Sequence, residues 1–133
     1  MNIKRYLIAV ITLFAFIFIY ESFVHGFLLA SLYSQTPTIW RNQAQLTAYI
    51  PFNIAIMALI AIWVTFIYTR LFKEGGWRSG LRFGLYFGIL SGIQAAGAYY
   101  YLPISLTLAA MWFIANIIES LVAGFLIGSI YRQ

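Results

Sequence analysis

FGLYFGILSGIQAAGAYYYLPISLTLAAMWFIANII, residues 83–118, runs from Arg82 to Glu119 without a charged side chain. As one helix it would be about 54 Å long at ~1.5 Å per residue. The hydrocarbon core of a bilayer is only ~30 Å thick. The stretch therefore reads as two spans. The division falls at Tyr99-Tyr100-Tyr101-Leu102-Pro103, where aromatics suit the membrane interface and proline interrupts a helix. The spans are expected at about 83–102 and 104–131.

The same reading extends toward the N-terminus. An apolar run starts at Tyr6, after Lys4 and Arg5, and reaches Tyr33 with only Glu21 and His25 as ionisable interruptions. It is too long for the apolar region of a cleaved signal peptide. A polar loop, residues 34–47, separates it from a run at about 49–69, with Pro51 in the first turn, where proline is tolerated. The connector RLFKEGGWRSGLR, residues 70–82, holds Gly75-Gly76, a helix stop and turn signal. The expectation is one all-α integral membrane domain over 1–133, a four-helix transmembrane bundle with spans at about 6–33, 49–69, 83–102 and 104–131.

Composition points the same way. Hydrophobic residues make up 63% and charged residues 8% of the chain, against about 25% charged in soluble domains. A chain this small cannot bury so much apolar surface from water, so the lipid bilayer is the expected partner. The formal net charge of +5 does not indicate nucleic acid, because the basic residues flank apolar runs. Lys4, Arg5, Arg70, Lys73, Arg78, Arg82 and Arg132 fall on one side of the four spans, and Arg41 alone on the other. The positive-inside rule then places both termini in the cytoplasm.

Small residues recur at helical spacing. Gly80, Gly84, Gly88 and Gly92, followed by Ala96, form a stripe on the third span. The fourth span offers Ser120, Gly124 and Gly128, and the first Ser22, Gly26 and Ala30. Such faces let helix backbones approach closely in a membrane. Packing within the chain is the expectation, with a homodimer or a larger membrane complex as the alternative. Residues 21–33, ESFVHGFLLASLY, also match residues 119–131, ESLVAGFLIGSIY, at eight of thirteen positions. An inverted repeat, which in transporters brackets a binding site, and convergence on one packing solution both account for this.

Ionisable residues inside a membrane are costly and mark candidate functional sites. Here they are Glu21, His25 and Glu119, and Gln94 and Asn116 fall at similar depth in their spans. Glu21 and His25 are four apart and Asn116 and Glu119 three apart, so each pair shares a helix face. If those faces meet, a polar cluster of all five residues forms. Two carboxyls at one depth repel one another when both are ionised, which favours a shared proton. Such a cluster can lock helices together, handle a proton or solute, or contribute to a metal or haem site. One histidine, two glutamates and no cysteine make a thin ligand set, so neither metal nor cofactor is expected. Phe14, Phe18 and Trp112 lie on the same faces as the two glutamates and suit either a cleft lining or core packing; Met57 and Met111 read as packing residues.

Aspartate is absent, as are a Walker loop, an H-E-x-x-H pair and a G-x-S-x-G elbow, so no enzymatic activity is expected. At His25-Gly26, Trp40-Arg41 and Gly80-Leu81-Arg82-Phe83-Gly84, the pattern resembles small bacterial four-span membrane proteins of no assigned function. The resemblance covers nearly the whole chain and implies a bacterial inner-membrane location. The chain is also similar to small multidrug resistance transporters in having four short spans and a glutamate in the first. It departs from them in its greater length, its second membrane glutamate and the sequence around Glu21. Two functions are expected: an accessory subunit acting through helix packing, or a proton-coupled carrier of a small apolar or cationic solute using Glu21 and Glu119.

Overall fold

The computed structural model describes residues 2–72 and 75–131. The described residues contain helices and no strand. Six α-helices follow in chain order: α1 (Ile3–Phe23), α2 (Ala30–Tyr33), α3 (Gln43–Ala48), α4 (Ile50–Leu71), α5 (Gly76–Gly97) and α6 (Leu106–Ile130). Three segments, Ile3–Leu28, Ile50–Leu71 and Leu106–Ile130, are long and apolar enough to cross a membrane. α5 equals α4 in length at 22 residues, but its glycines, Arg82 and Gln94 lower its hydropathy.

The first span is not one regular helix. Between Val24 and Leu28 the backbone widens into a π-turn, with the Leu29 amide donating to the Val24 carbonyl at 2.8 Å. Residues five apart sit about 140° apart around a regular α-helix. The wider turn lets Val24 and Leu29 both enter the same core cluster, at 3% and 1% exposure. A π-bulge of this kind often accompanies a functional site.

Other boundaries move for identifiable reasons. The predicted 34–47 loop contains α3, started by a reciprocal capping box between Asn42 and Gln45. The helix expected at 83–102 begins at Gly76, because Gly75 and Gly76 take φ of 63° and 85° and complete the turn at once. Arg78 and Arg82 therefore lie on the helix rather than in the connector. The same helix ends at Gly97, ahead of a 3-10 turn at Ala98–Tyr100, not at 102. Ser105 caps α6 by accepting the Leu108 amide.

The long helices alternate in direction. The Asn2 amide donates to the Tyr131 hydroxyl, and the Tyr6 hydroxyl donates to the Ile62 carbonyl. Gly76 and Gly80 lie against Gly128 and Gly124. Asn2, Tyr131 and the turn at Gly75-Gly76 thus share one end of the molecule, together with Lys4, Arg5, Arg70 and Arg78. Arg41 lies in the segment at the opposite end. Lys73 and Arg132, which also enter the charge argument, are outside the described residues.

Packing follows the order α4–α1–α6–α5. α5 and α6 are in backbone contact along the glycine stripe. A methyl group built on Gly80 would overlap the Gly124 carbonyl, and one on Gly84 the Ser120 carbonyl. Gly88 and Gly92 face Ser120 and Phe113 of the same helix. The stripe is thus used within the chain. By contrast, Ser22, Gly26 and Ala30 are exposed, and nothing lies within 4 Å of where a Gly26 methyl would stand.

α4 and α5 form the two edges of this arc and barely approach along their backbones. They meet through aromatic side chains at one end, where Phe83 lies 5.5 Å from Tyr68 and 5.3 Å from Phe72 between ring centroids. Two apolar clusters result. One, around Leu13, Ile17, Met57, Tyr68, Phe83 and Ile127, fills the end bearing the termini. The other, around Val24, Leu29, Ile104 and Leu108, fills the opposite end.

Candidate functional site

The arc encloses a cavity of about 470 Å³ lined by all four long helices. α1 and its π-turn supply Glu21 and His25, α4 supplies Asn53, α5 supplies Ser91, and α6 supplies Asn116, Glu119 and Ser120. Apolar walls come from Leu13, Ile17, Met57, Val64, Phe83, Phe87 and Trp112, among others. Four of the five candidate residues therefore share one chamber. The fifth, Gln94, does not: it is exposed and does not line the cavity. Its depth suits the cluster, but Gly92 faces α6, and two further residues turn the helix by about 200°.

A directed hydrogen-bond chain runs along one wall. The Trp112 indole N–H donates to the Tyr33 hydroxyl oxygen at 2.8 Å. The Tyr33 hydroxyl is hydrogen-bonded to His25 Nδ1. On the other side of the ring, His25 Nε2 lies 3.3 Å from a Glu21 carboxylate oxygen. A consistent set of donors exists when His25 is neutral with its proton on Nε2. Tyr33 then donates to Nδ1, and Nε2–H donates to an ionised Glu21.

The remaining members are held differently. Asn116 donates to the Trp112 carbonyl of its own helix at 2.9 Å. The Tyr20 hydroxyl donates to the Ala115 carbonyl at 2.8 Å and ties α1 to α6 beside the chamber. Glu119 is half-buried and lines the cavity, yet has no hydrogen-bond partner among the described residues. Glu21, His25 and Glu119 do not converge as metal ligands; among the described residues no group of three or more such side chains could hold an ion.

Aromatics close the end of the chamber near the 34–42 segment. Trp40 folds back edge-on to Tyr33, at 5.1 Å and 84°, and lies 6.3 Å from Trp112. The Trp40 indole donates to Thr36 Oγ1. Of the aromatics suggested by sequence, Trp112 lines the cavity. Phe14 packs beside the core and Phe18 is exposed; neither lines it. Met57 is buried in the core, as read from sequence, and also forms part of the cavity wall.

Tyr33 and Trp40 escape sequence reasoning. Tyr33 lies eight residues beyond His25, but the π-turn between them breaks the regular phase on which a shared face is inferred. Trp40 stands in the polar 34–47 loop, and its contact with Trp112 is a tertiary event. Asn53 and Ser91 carry the same kind of signal as Asn116, a polar residue inside an apolar run.

Replacing Tyr33 with Phe removes the oxygen that joins Trp112 to His25. The expected loss is about 1–2 kcal/mol of stability, the cost of leaving an indole N–H unsatisfied. Nitrogen NMR of labelled His25 should show a changed tautomer ratio, whereas Phe18→Ala on the exposed face should leave it unaltered.

No protein-family model, no curated protein and no solved structure matches this chain.

Proposed function

We propose that this chain is a four-span inner-membrane protein of bacteria, with both termini cytoplasmic, that carries a small apolar or cationic solute in exchange for protons. The observation that carries this reading is the shared chamber. Glu21, His25, Asn116 and Glu119 open into one cavity of about 470 Å³ bounded by all four long helices. Carboxylates that serve only to lock helices together are expected to be fully paired across an interface. Glu119 faces a cavity instead and has no hydrogen-bond partner among the described residues. The volume lies within the range of small-molecule sites, roughly 300–1,000 Å³. The basic residues at the end carrying the termini favour the cytoplasmic orientation. α5 completes the fourth crossing through its close packing on α6, which compensates for its lower hydropathy.

The test uses the purified chain in liposomes. Under an imposed proton gradient, solute counterflow should be accompanied by proton movement, and dissipating the gradient should stop accumulation. A reconstituted wild type that moves neither protons nor any of a panel of lipophilic amines, under either polarity of gradient, overturns the carrier reading.

One observation favours a second reading, an accessory subunit of a larger complex. The Ser22, Gly26 and Ala30 face is exposed, although small residues in membrane helices usually mark close packing. Gentle extraction should then bring down one stoichiometric partner that Gly26→Leu releases. Recovery of the wild type alone under those conditions removes that reading.

A further inference from the structure

The chamber has three boundaries of different character. At the end bearing the termini it is closed by the aromatic group Tyr68, Phe72 and Phe83. At the other end Tyr33, Trp40 and Trp112 pack against one another at edge-on or tilted angles. Its side, between the edge helices α4 and α5, is bounded by little backbone packing. There Ile56 and Ile60 line the cavity while remaining 39% and 43% exposed. A residue that both lines a chamber and faces the surroundings marks its mouth. Ser91 and Ala95, both half-buried, line the cavity from α5 across from them.

We propose that the cavity is loaded sideways from the lipid through the gap between α4 and α5, and that its ligand is a membrane-dissolved amphiphile with an apolar body and one cationic head. This rests on the reading of the chamber as a ligand site. A strongly hydrated solute would have to shed its water at an isoleucine-lined mouth that faces hydrocarbon, which is unfavourable. An amphiphile already in the bilayer keeps its apolar body in an apolar medium throughout. Inside, Glu119 offers a carboxylate with no other hydrogen-bond partner among the described residues, and Phe87 and Trp112 offer apolar walls and ring faces that attract a cation.

The chain has no cysteine, so a single pair can be introduced cleanly. Ile60→Cys and Ser91→Cys stand on opposite lips of the gap. The double variant in lipid nanodiscs is treated with a cleavable bifunctional thiol reagent. Binding of primary n-alkylamines of increasing chain length is then followed by stopped-flow tryptophan fluorescence. Before cross-linking, the association rate referred to aqueous amine should rise about fourfold per added CH₂, as partitioning of a methylene into the bilayer dictates. Cross-linking should slow association at least tenfold, and reduction should restore it. The untreated double variant serves as its own folding control. Normal binding with a rate indifferent to both chain length and the cross-link overturns lateral loading but leaves the chamber a ligand site. Absence of amine binding by the wild type overturns the ligand-site reading and this proposal with it.

Discussion

Gly80→Ala, Gly84→Ala and Gly124→Ala should each destabilise the protein by about 2–3 kcal/mol, the upper range for overpacking by a single methyl. The added atom meets a backbone carbonyl in each case: Gly124 from Gly80, Ser120 from Gly84 and Gly80 from Gly124. A side chain struck by a new methyl can change rotamer, but a carbonyl inside a helix moves only with its helix. The pair α5–α6 must therefore separate along its length, and α5, the least apolar of the long helices, loses its main neighbour. Gly92→Ala should cost less, about 1 kcal/mol, because one of the groups it meets is the Phe113 ring, at 2.9 Å. Gly97→Ala and Gly26→Ala should stay within about 0.5 kcal/mol, since no atom lies within 4 Å of either new methyl. Unfolding in mixed detergent micelles, with helix content as the signal, resolves these classes. Equal losses at all the glycines would show that α5 and α6 do not pack in this register.

That ordering marks how far the sequence could be read. Glycines four apart announce a close helix contact, and the charge-free run from Arg82 to Glu119 announces two helices. Both follow from period and length, which are local properties. The partner of the stripe is not local. The Ser22-Gly26-Ala30 and Ser120-Gly124-Gly128 series look alike on paper, yet only the second lies against α5. The difference arises from how four helices share their faces.

The polar cluster shows the same division. Depth along a helix follows from counting residues, so Glu21, Asn116 and Glu119 could be set at one level. Azimuth depends on which face each helix turns inward, and Gln94 has the right depth and the wrong azimuth. The π-turn at Val24–Leu28 is a further departure that propensity does not announce. It changes the phase of everything after it, and with that phase come Leu29 in the core and Tyr33 beside His25. The aromatic closure by Trp40 depends on α3 and the 3-10 turn at Pro37–Ile39, short elements whose signals were present in the Asn42–Gln45 cap and Pro37.

Glu119→Gln should abolish proton-coupled uptake, while Glu21→Gln should only weaken it. The two carboxylates share a chamber but differ in their company. Glu21 has His25 at 3.3 Å, and His25 in turn bonds Tyr33. A glutamine at 21 can still accept the Nε2–H through its amide oxygen, so the wall of the chamber keeps its geometry. Glu119 has no hydrogen-bond partner among the described residues, whereas Glu21 is held by His25, so Glu119 is the carboxyl freer to meet a cationic head or a proton. Losing one partner of a desolvated charge pair costs about 2–4 kcal/mol, on the order of 30- to 1,000-fold in affinity. Counterflow of a lipophilic amine by Glu119→Gln should fall by that factor, and its dependence on the proton gradient should vanish. Glu21→Gln should lose on the order of tenfold, the effect of about 1.4 kcal/mol, and should keep its gradient dependence. Glutamine is close in shape to glutamate, so thermal unfolding of both variants should match the wild type, which separates loss of chemistry from loss of fold. Equal and modest losses at the two positions, with the gradient dependence intact, would make both carboxyls structural and return the weight to the accessory-subunit reading.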